Sequence, residues 1–441
     1  MKRILIALAL VLSVQFADAQ TKSPAEAKKA VETAEAATQN PKKAAKVATW
    51  LKVAQAYLGA YDAPAGSVVT GATKQELQFM MGNEKPVSSE QTELAGQPVI
   101  KEVYDNKDLY FNANGQLILI DVTKPVFAED VLAKAVEAYK KAAELDVKQA
   151  KAKDLKNGLD GIANRYLNEA YNCYQFGEYK EASDLFLKSA DAAAAAPLNR
   201  IDTTAIYNAG FTSWMVQDYE TAKKCFERCL DNQYYYEGGE VFAKLADVYA
   251  KLGDKDASRD ILEQGFTKFP QSQSILIGLI NYYMESGQNT DRLFSLINEA
   301  KKNEPDNASL YYVEGNIYKE LGQNDKAVES YYKCAEINPS YEYGYIGAGI
   351  LYYNLAIEIQ DKAANEFDDR KYEVLVAQFE EALMNALEPF EKAYQVSKDN
   401  DLKVNVAEYL KNIYYRFSSK GANYEEGYNK YNEVVKTGQA K

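Results

Sequence analysis

The sequence predicts an all-α fold in which pairs of helices repeat about every 34 residues. Two series of helix-ending residues support this prediction: glycines spaced 34 and 35 residues apart, and prolines spaced 35 and 34 apart. The glycines are Gly253, Gly287 and Gly322, and the prolines are Pro270, Pro305 and Pro339. Glycine enters a left-handed helix cap without a Cβ clash, whereas proline cannot continue a helix. A fixed period with two helical segments per period is typical of stacked helix-turn-helix repeats.

One stretch, residues 310–339, matches a known repeat almost position by position. Tyr311, Gly315 and Tyr318 stand at the W-x2-L-G-x2-Y positions, and Ala327 and Tyr331 at the A-x3-F positions, before the closing proline. The chain therefore resembles the tetratricopeptide repeat (TPR) family. The resemblance implies an α-solenoid, a right-handed superhelix of helix-turn-helix repeats, with a concave groove lined by the first helix of each repeat.

The same pattern, with fewer matches to the consensus residues, divides most of the chain into about seven repeats. Residues 1–19 are interpreted as a signal peptide, and 20–46 as an N-terminal helical segment. The first repeat spans 47–147 and is split by an insertion at 59–128. Repeats 2 to 6 occupy 148–341, a seventh repeat with lengthened helices occupies 342–400, and 401–441 are capping helices, because a terminal repeat needs a polar outer face.

The insertion at 59–128 has a different composition from the repeats. Glycine and proline cluster at its start, and a short helix is expected over 74–81. Asn114 and Gly115 lie between the apolar runs 109–111 and 117–120, and Asn-Gly between such runs is a strong hairpin signal. We therefore expect a small β-hairpin near 108–122. Because an isolated hairpin is marginally stable in water, it should pack either as a cap on the N-terminal repeats or within the groove.

The first residues have the pattern of a secretory signal. Lys2 and Arg3 precede an apolar run, 4–14, and Ala17-Asp18-Ala19 provides a small-x-small cleavage motif before Gln20. We expect cleavage near Ala19-Gln20 and a periplasmic or secreted mature protein without an integral membrane segment. The alternative is an uncleaved membrane anchor.

The formal net charge of −13 limits the classes of partner. Nucleic-acid binding depends on a basic face, and anionic membrane surfaces attract basic segments. An acidic chain disfavours both and favours a basic partner.

The residues that carry most enzyme chemistry are missing from the sequence. There is no histidine, which removes the commonest general acid-base group and a usual zinc ligand. No phosphate-binding glycine loop, nucleophile elbow or calcium loop occurs. We therefore expect no enzyme activity, no cofactor and no metal.

The chain has four cysteines, and in an exported protein such cysteines are candidates for disulfide bonds. Cys225 and Cys229 lie four residues apart on one predicted helix, where a bond between them has poor geometry. These two, Cys173 and Cys334 all fit buried repeat positions. A bridge between Cys173 and one of the 225/229 pair is the alternative.

The TPR resemblance implies which positions face the groove, and many of them are aromatic. The predicted partner-binding residues are Tyr171, Tyr174, Tyr207, Phe211, Trp214, Asn281, Met284, Tyr312, Asn316 and Tyr353. The resemblance implies that Asn281 and Asn316 bond a peptide backbone, while Tyr207, Phe211 and Trp214 would anchor apolar side chains. The positions that form a carboxylate clamp in one TPR subclass carry other residues here. The alternative is that superhelical closure, the insertion or a second copy buries the aromatics.

These observations favour a non-enzymatic, exported TPR scaffold or adaptor. It would bind a protein or peptide in its concave groove during cell-envelope assembly, secretion or stress handling. One alternative is a structural TPR protein that self-associates into a homo-oligomer. Another, motivated by export and by the 35 tyrosines, is a carbohydrate-binding accessory protein or enzyme.

Overall fold

A computed structural model describes residues 22–285 and 291–440, and the side chains of 284, 285 and 303 are outside the description. The signal-peptide prediction and Gly287 therefore lie outside the described residues. The chain divides into two compact units, one that ends at Tyr234 and one that begins at Tyr235.

Unit 1 contains nine helices and one small sheet within its described residues. The helices are α1 (Pro24–Thr38), α2 (Pro41–Ala44), α3 (Val47–Asp62), α4 (Lys74–Met81), α5 (Val131–Leu145), α6 (Ala152–Phe176), α7 (Tyr179–Ala194), α8 (Thr203–Met215) and α9 (Tyr219–Asp231). The strands are β1 (Ser88–Leu94), β2 (Gln97–Val103), β3 (Asp108–Phe111) and β4 (Leu117–Asp121). Helix α3 packs on α5, α6 on α7, and α8 on α9, so consecutive repeat helices form antiparallel pairs.

Unit 2 continues the helix pairs, after a short 3-10 turn at Glu237–Gly239. Its helices are α10 (Glu240–Lys251), α11 (Lys255–Lys268), α12 (Gln273–Glu285), α13 (Asp291–Asn303), α14 (Ala308–Glu320), α15 (Asn324–Ile337), α16 (Glu342–Ala364), α17 (Asp369–Val396), α18 (Asn400–Phe417) and α19 (Ala422–Thr437). A second 3-10 turn, Ser418–Lys420, joins α18 to α19. The fold class predicted from the period is confirmed.

The helix-ending residues act as the sequence predicts. Gly253 and Gly322 have φ values of +87° and +70°, in the region that favours glycine. Pro270, Pro305 and Pro339 each follow the end of a second helix, at Lys268, Asn303 and Ile337. Aspartate side chains cap several of the helix starts: Asp130, Asp202, Asp218 and Asp254 each accept a bond from the backbone N–H three residues later.

The insertion forms a four-stranded antiparallel sheet in the order β1-β2-β3-β4 with α4 on one face. The predicted hairpin is β3–β4, and the short helix is α4, with the predicted bounds. Leu77 of α4 packs with Leu109, Phe111 and Leu117 on one face of the sheet. Tyr110 and Leu119 form a second small core on the other face, next to Phe176 of α6.

None of the helices in the described residues is long and apolar enough to cross a bilayer.

Candidate partner-binding surfaces

The five predicted groove residues of unit 1 lie on α6 and α8, where most of them pack between helices. Tyr207 and Phe211 are buried, with 6% and 8% of their surface exposed. The Tyr207 ring lies 6.0 Å from that of Phe226, and the Phe211 ring 5.9 Å from that of Trp214. Trp214 is half-buried at the end of this aromatic row. The α8 aromatics therefore contribute to the core of unit 1, and their role in partner binding stays a prediction.

The two tyrosines on α6 are half-buried and also contact their own unit. Tyr171 packs edge-on against Phe186 of α7 at 5.2 Å, and its hydroxyl accepts a hydrogen bond of 3.1 Å from the Asn208 amide. The Tyr174 ring lies 5.3 Å from that of Tyr179. These contacts fix both rings against neighbouring helices.

The unit 2 groove residues differ in how much surface they offer. Asn281 is exposed on α12, and the side chain of Met284 lies outside the described residues. Tyr312 is half-buried between the rings of Tyr331 and Tyr343, at 5.9 and 5.7 Å. The other two are half-buried as well: Asn316 accepts a 2.7 Å hydrogen bond from the Tyr331 hydroxyl, and Tyr353 packs 5.0 Å from Tyr409. Asn316 therefore already has a partner within its own repeat.

The insertion packs on the repeats through the last turns of α6. Tyr110 lies 5.5 Å from Phe176, and the Asn172 amide donates a 3.1 Å hydrogen bond to the Ile120 carbonyl. By helical geometry, Asn172 and Phe176 lie on a different side of α6 from Tyr171 and Tyr174. The sheet is therefore anchored to the side of α6 that carries Asn172 and Phe176.

A cavity of about 770 Å³ opens in unit 1 among α1, α3, α5, α6 and α7. Its lining includes Trp50, Tyr57 and Tyr166 together with Lys134, Lys140, Lys141 and Lys188. The lysines form ion pairs with Glu129, Glu137, Glu144 and Asp130, in that order, at 2.6 to 3.0 Å. Burial, followed by a hydrogen bond to Glu35, raises the pKa of Tyr57. Each of the four lysine ammonium groups is therefore paired with a carboxylate of the same unit.

A second cavity, of about 400 Å³, lies in unit 2 where α16, α17 and the end of α18 meet. Six of its lining residues form what we call the hairpin face: Tyr353, Ile357, Gln360, Phe379, Leu383 and Tyr415. Ile357 and Tyr415 are 38% and 65% exposed and line the same cavity, so they form one exposed apolar patch. Arg416 lies beside the face, 5.3 Å from the ring of Phe379, and pairs with Glu380 at 3.2 Å.

Of the residues of the hairpin face, only Tyr353 is among the predicted groove residues, because the sequence pattern shows 342–400 only as a repeat with lengthened helices. A signal was present within it. Phe379 and Leu383 are four residues apart, as are Tyr353 and Ile357, and such spacing places each pair on one side of its helix.

The cysteines offer no reactive thiol. All four are free; Cys225, Cys229 and Cys334 are buried and Cys173 is half-buried. Burial raises the pKa of each thiol to about 12. In the described part of the chain, no group of three or more cysteine and carboxylate side chains is placed to hold a metal ion.

Comparison with protein families agrees with the repeats seen in the structure. Tetratricopeptide repeat families match residues 240–272 and 308–341, which correspond to α10–α11 and α14–α15. The chain is a TPR-containing protein, with tetratricopeptide repeats at these two helix pairs. TPR repeats indicate an interaction or scaffolding role.

Similar proteins carry the same repeat. A TPR repeat-containing protein of Methanocaldococcus jannaschii is 27% identical over 235 residues, which are 49% of this chain and 40% of that protein. The alignment thus spans less than half of the relative. Two solved structures have low overall similarity: YrrB, described as a TPR protein with an unusual peptide-binding site (22% identity, 47% of this chain, 96% of that chain, TM-score 0.26), and a tetratricopeptide repeat protein of Parabacteroides merdae (14% identity, 63% and 98%, TM-score 0.32).

Proposed function

We propose that this protein is an exported, non-enzymatic TPR scaffold that holds a protein or peptide partner. The observation that carries the proposal is the exposure of Ile357 and Tyr415 beside an open cavity in a chain of stacked TPR helices. Large apolar side chains left in solvent cost free energy, and on soluble proteins a cluster of them marks an interaction site.

The absence of histidine from the sequence and the raised thiol pKa values support a binding role over a catalytic one. A catalytic cysteine acts as the thiolate, and a thiol whose pKa is about 12 is almost fully protonated at neutral pH.

Export is proposed from the sequence of the first residues. The basic pair Lys2-Arg3, the apolar run and the Ala17-Asp18-Ala19 motif form the three parts of a signal peptide. The test is to tag the chain at its C-terminus in the source cells, fractionate them, and determine the mass of the mature protein. We expect a mature N-terminus at Gln20 in a periplasmic or extracellular fraction. A full-length chain that stays with the cytoplasm would contradict export.

Partner binding is tested in the same cells by chemical cross-linking before lysis, followed by purification through the tag. We expect one or a few proteins that are recovered in a fixed ratio and displaced by untagged protein. A tagged exported protein of similar negative charge and without TPR repeats is the control. Recovery of the same set with both baits, or no cross-linked partner, would contradict a scaffold role, and cross-links to the chain itself alone would favour self-association.

A second comparison tests the concave groove. Trp214→Ala and Asn281→Ala change a half-buried and an exposed groove position. Tyr207 and Phe211 are left unchanged, because both rings are buried and their loss would disturb the core. Loss of the partner from either variant, with unchanged thermal melting, would place the contact in the groove.

A further inference from the structure

Helices α16 and α17 form a hairpin that is much longer than a TPR helix pair. They have 23 and 28 residues, whereas α14 and α15 have 13 and 14. At 1.5 Å per residue, each long helix exceeds its counterpart by roughly 15 to 20 Å. Arg416 near the end of α18 and Lys420 in the 3-10 turn that follows both bind Glu380 of α17. The residues of α17 that precede Phe379 therefore extend beyond the end of α18, the next helix in the stack.

The extension continues the hairpin face as an apolar stripe. Tyr372, 48% exposed, lies seven residues before Phe379, so helical geometry places both on the same side of α17. On α16, Tyr353, Ile357 and Gln360 follow the i, i+4, i+7 pattern of a single side. In a stack of repeats, this side would be covered by the following helix. Helix α18 covers its base, where Phe379 and Leu383 are buried and Tyr353 packs on Tyr409, but it ends too early to cover Ile357 and Tyr372, which are exposed.

The rim of this surface is acidic. Residues 354–381 contain eight carboxylates and three basic side chains. Glu358, Asp361 and Glu373 are exposed next to the stripe, and none of the three has an ion-pair partner among the described residues. An occupant with cationic side chains on both sides of an apolar stripe would neutralise these carboxylates.

We propose that the hairpin face and its extension bind a basic amphipathic helix of another protein. This inference rests on the proposed scaffold function and names its partner by chemistry. A helix fits because the site is a groove between antiparallel helices, whose apolar stripes accept side chains spaced i, i+3, i+4 and i+7. A second copy of this chain is disfavoured, because its net charge of −13 and its own acidic hairpin would repel this rim.

The probe is a fluorescein-labelled 18-residue peptide of leucine and lysine, with leucine at the i, i+3, i+4 and i+7 positions. It is titrated into the full chain and followed by fluorescence anisotropy. Two further peptides are a scrambled one of the same composition and one with glutamate in place of lysine. We expect saturable binding of the first peptide, weakened by added salt, and at least tenfold weaker binding of the other two.

The decisive variant is Ile357→Ser with Tyr415→Ser, two exposed positions whose substitution should leave folding intact. We expect its affinity for the basic peptide to fall at least tenfold. The matched control is Val374→Ser: Val374 is 56% exposed on α17, and helical geometry places it away from the stripe. The control should bind within about twofold of the wild type, since an off-face truncation removes no contact. A third variant, Asp361→Asn with Glu373→Gln, should bind more weakly and with less salt dependence.

Other outcomes overturn the inference. They are equal binding of the scrambled peptide, equal loss in Val374→Ser, or no binding by the wild type. A wild-type dimer in sedimentation velocity that becomes monomeric in Ile357→Ser/Tyr415→Ser would assign the face to a second copy instead. If the Ile357→Ser/Tyr415→Ser variant keeps its cross-linked cellular partners but no longer binds the peptide, the scaffold function stands and this site is rejected. Peptide binding without any cellular partner would reject the scaffold function alone.

Discussion

Gly315 is a residue at which the close approach of two helices depends on the lack of a side chain. A Cβ atom there would lie 2.5 Å from the Tyr331 ring and 3.1 Å from the Ala327 carbonyl oxygen. Tyr331 cannot easily move away, because it is 1% exposed and its hydroxyl bonds Asn316. The small position of the repeat, which the sequence pattern located, is therefore a steric requirement of the α14–α15 pair.

We expect Gly315→Ala to destabilise the protein by about 1–3 kcal/mol, the usual cost of overpacking a tight contact. The measurement is thermal and urea unfolding followed by circular dichroism. The matched control is Gly59→Ala, within α3, where a Cβ atom meets nothing within 4 Å. That change should be neutral or stabilise by about 0.5–1 kcal/mol, because alanine is the better helix former. Equal melting of Gly315→Ala and the wild type would contradict the described packing.

Glu169 on α6 has a largely enclosed carboxyl group whose pKa is raised above the ordinary value of glutamate. Burial raises its pKa, a hydrogen bond from Tyr61 opposes the rise, and the charge of Asp130 adds to it. The folded state thus holds the proton more tightly than the unfolded chain does. The corresponding stability is fully present below the ordinary pKa of glutamate and is lost as pH rises through the raised value.

We therefore expect Glu169→Gln to raise the melting temperature at pH 7, because glutamine avoids the buried charge and can still accept the Tyr61 hydrogen bond. The difference from the wild type should shrink as the pH falls toward 4. The control is Glu358→Gln, an exposed position on α16. A loss of stability that is the same at every pH would show that the Glu169 carboxylate itself is required by the packing.

At the scale of elements, the insertion shows what local sequence can and cannot predict. The Asn-Gly signal predicts strand pair β3–β4 because both residues suit positive φ; in the structure only Gly115 has one, of +74°, and the loop spans residues 112–116. The partner strands β1 and β2 were not predicted. Strand β1 is polar and exposed along most of its length, so it lacks the alternating apolar pattern of a half-buried strand. The sequence feature that does indicate the β1–β2 hairpin is Gly96. It follows Ala95 in a two-residue turn in which both residues have positive φ.

The groove residues show a second limit of prediction from sequence: the exposure of a side chain also depends on the size of the residues on adjacent helices. The repeat register placed Tyr207 and Phe211 on α8, but register does not tell how far the rings of neighbouring helices reach across them. Phe226 of α9 and Tyr234 pack on Tyr207 at 6.0 and 6.1 Å. A position that the family pattern assigns to the groove can therefore be closed by large residues from adjacent elements. The exposed face on α16–α18 arises in the opposite way, because the neighbouring helix is too short.

At the scale of the whole molecule, a repeat protein is stabilised mainly between nearest neighbours. The last described pair illustrates this dependence. Phe390 of α17 is fully buried and stacks on Tyr409 of α18 at 4.8 Å, and Tyr394 packs on Tyr431 of α19 at 5.2 Å. Leu410 and Ile413 complete the same cluster. Helices α18 and α19 therefore cover an apolar side of α17 and leave the earlier pairs to their own contacts.

We expect a chain that ends at residue 397 to keep most of its helical circular dichroism, since only the terminal interface is lost. The uncovered rings should make it bind a hydrophobic dye and self-associate in size-exclusion chromatography. A chain that ends at residue 437 keeps α19 complete and is the matched control. Collapse of the whole helical signal on removal of α18 and α19 would contradict nearest-neighbour stabilisation, because it would mean that distant repeats depend on these two helices.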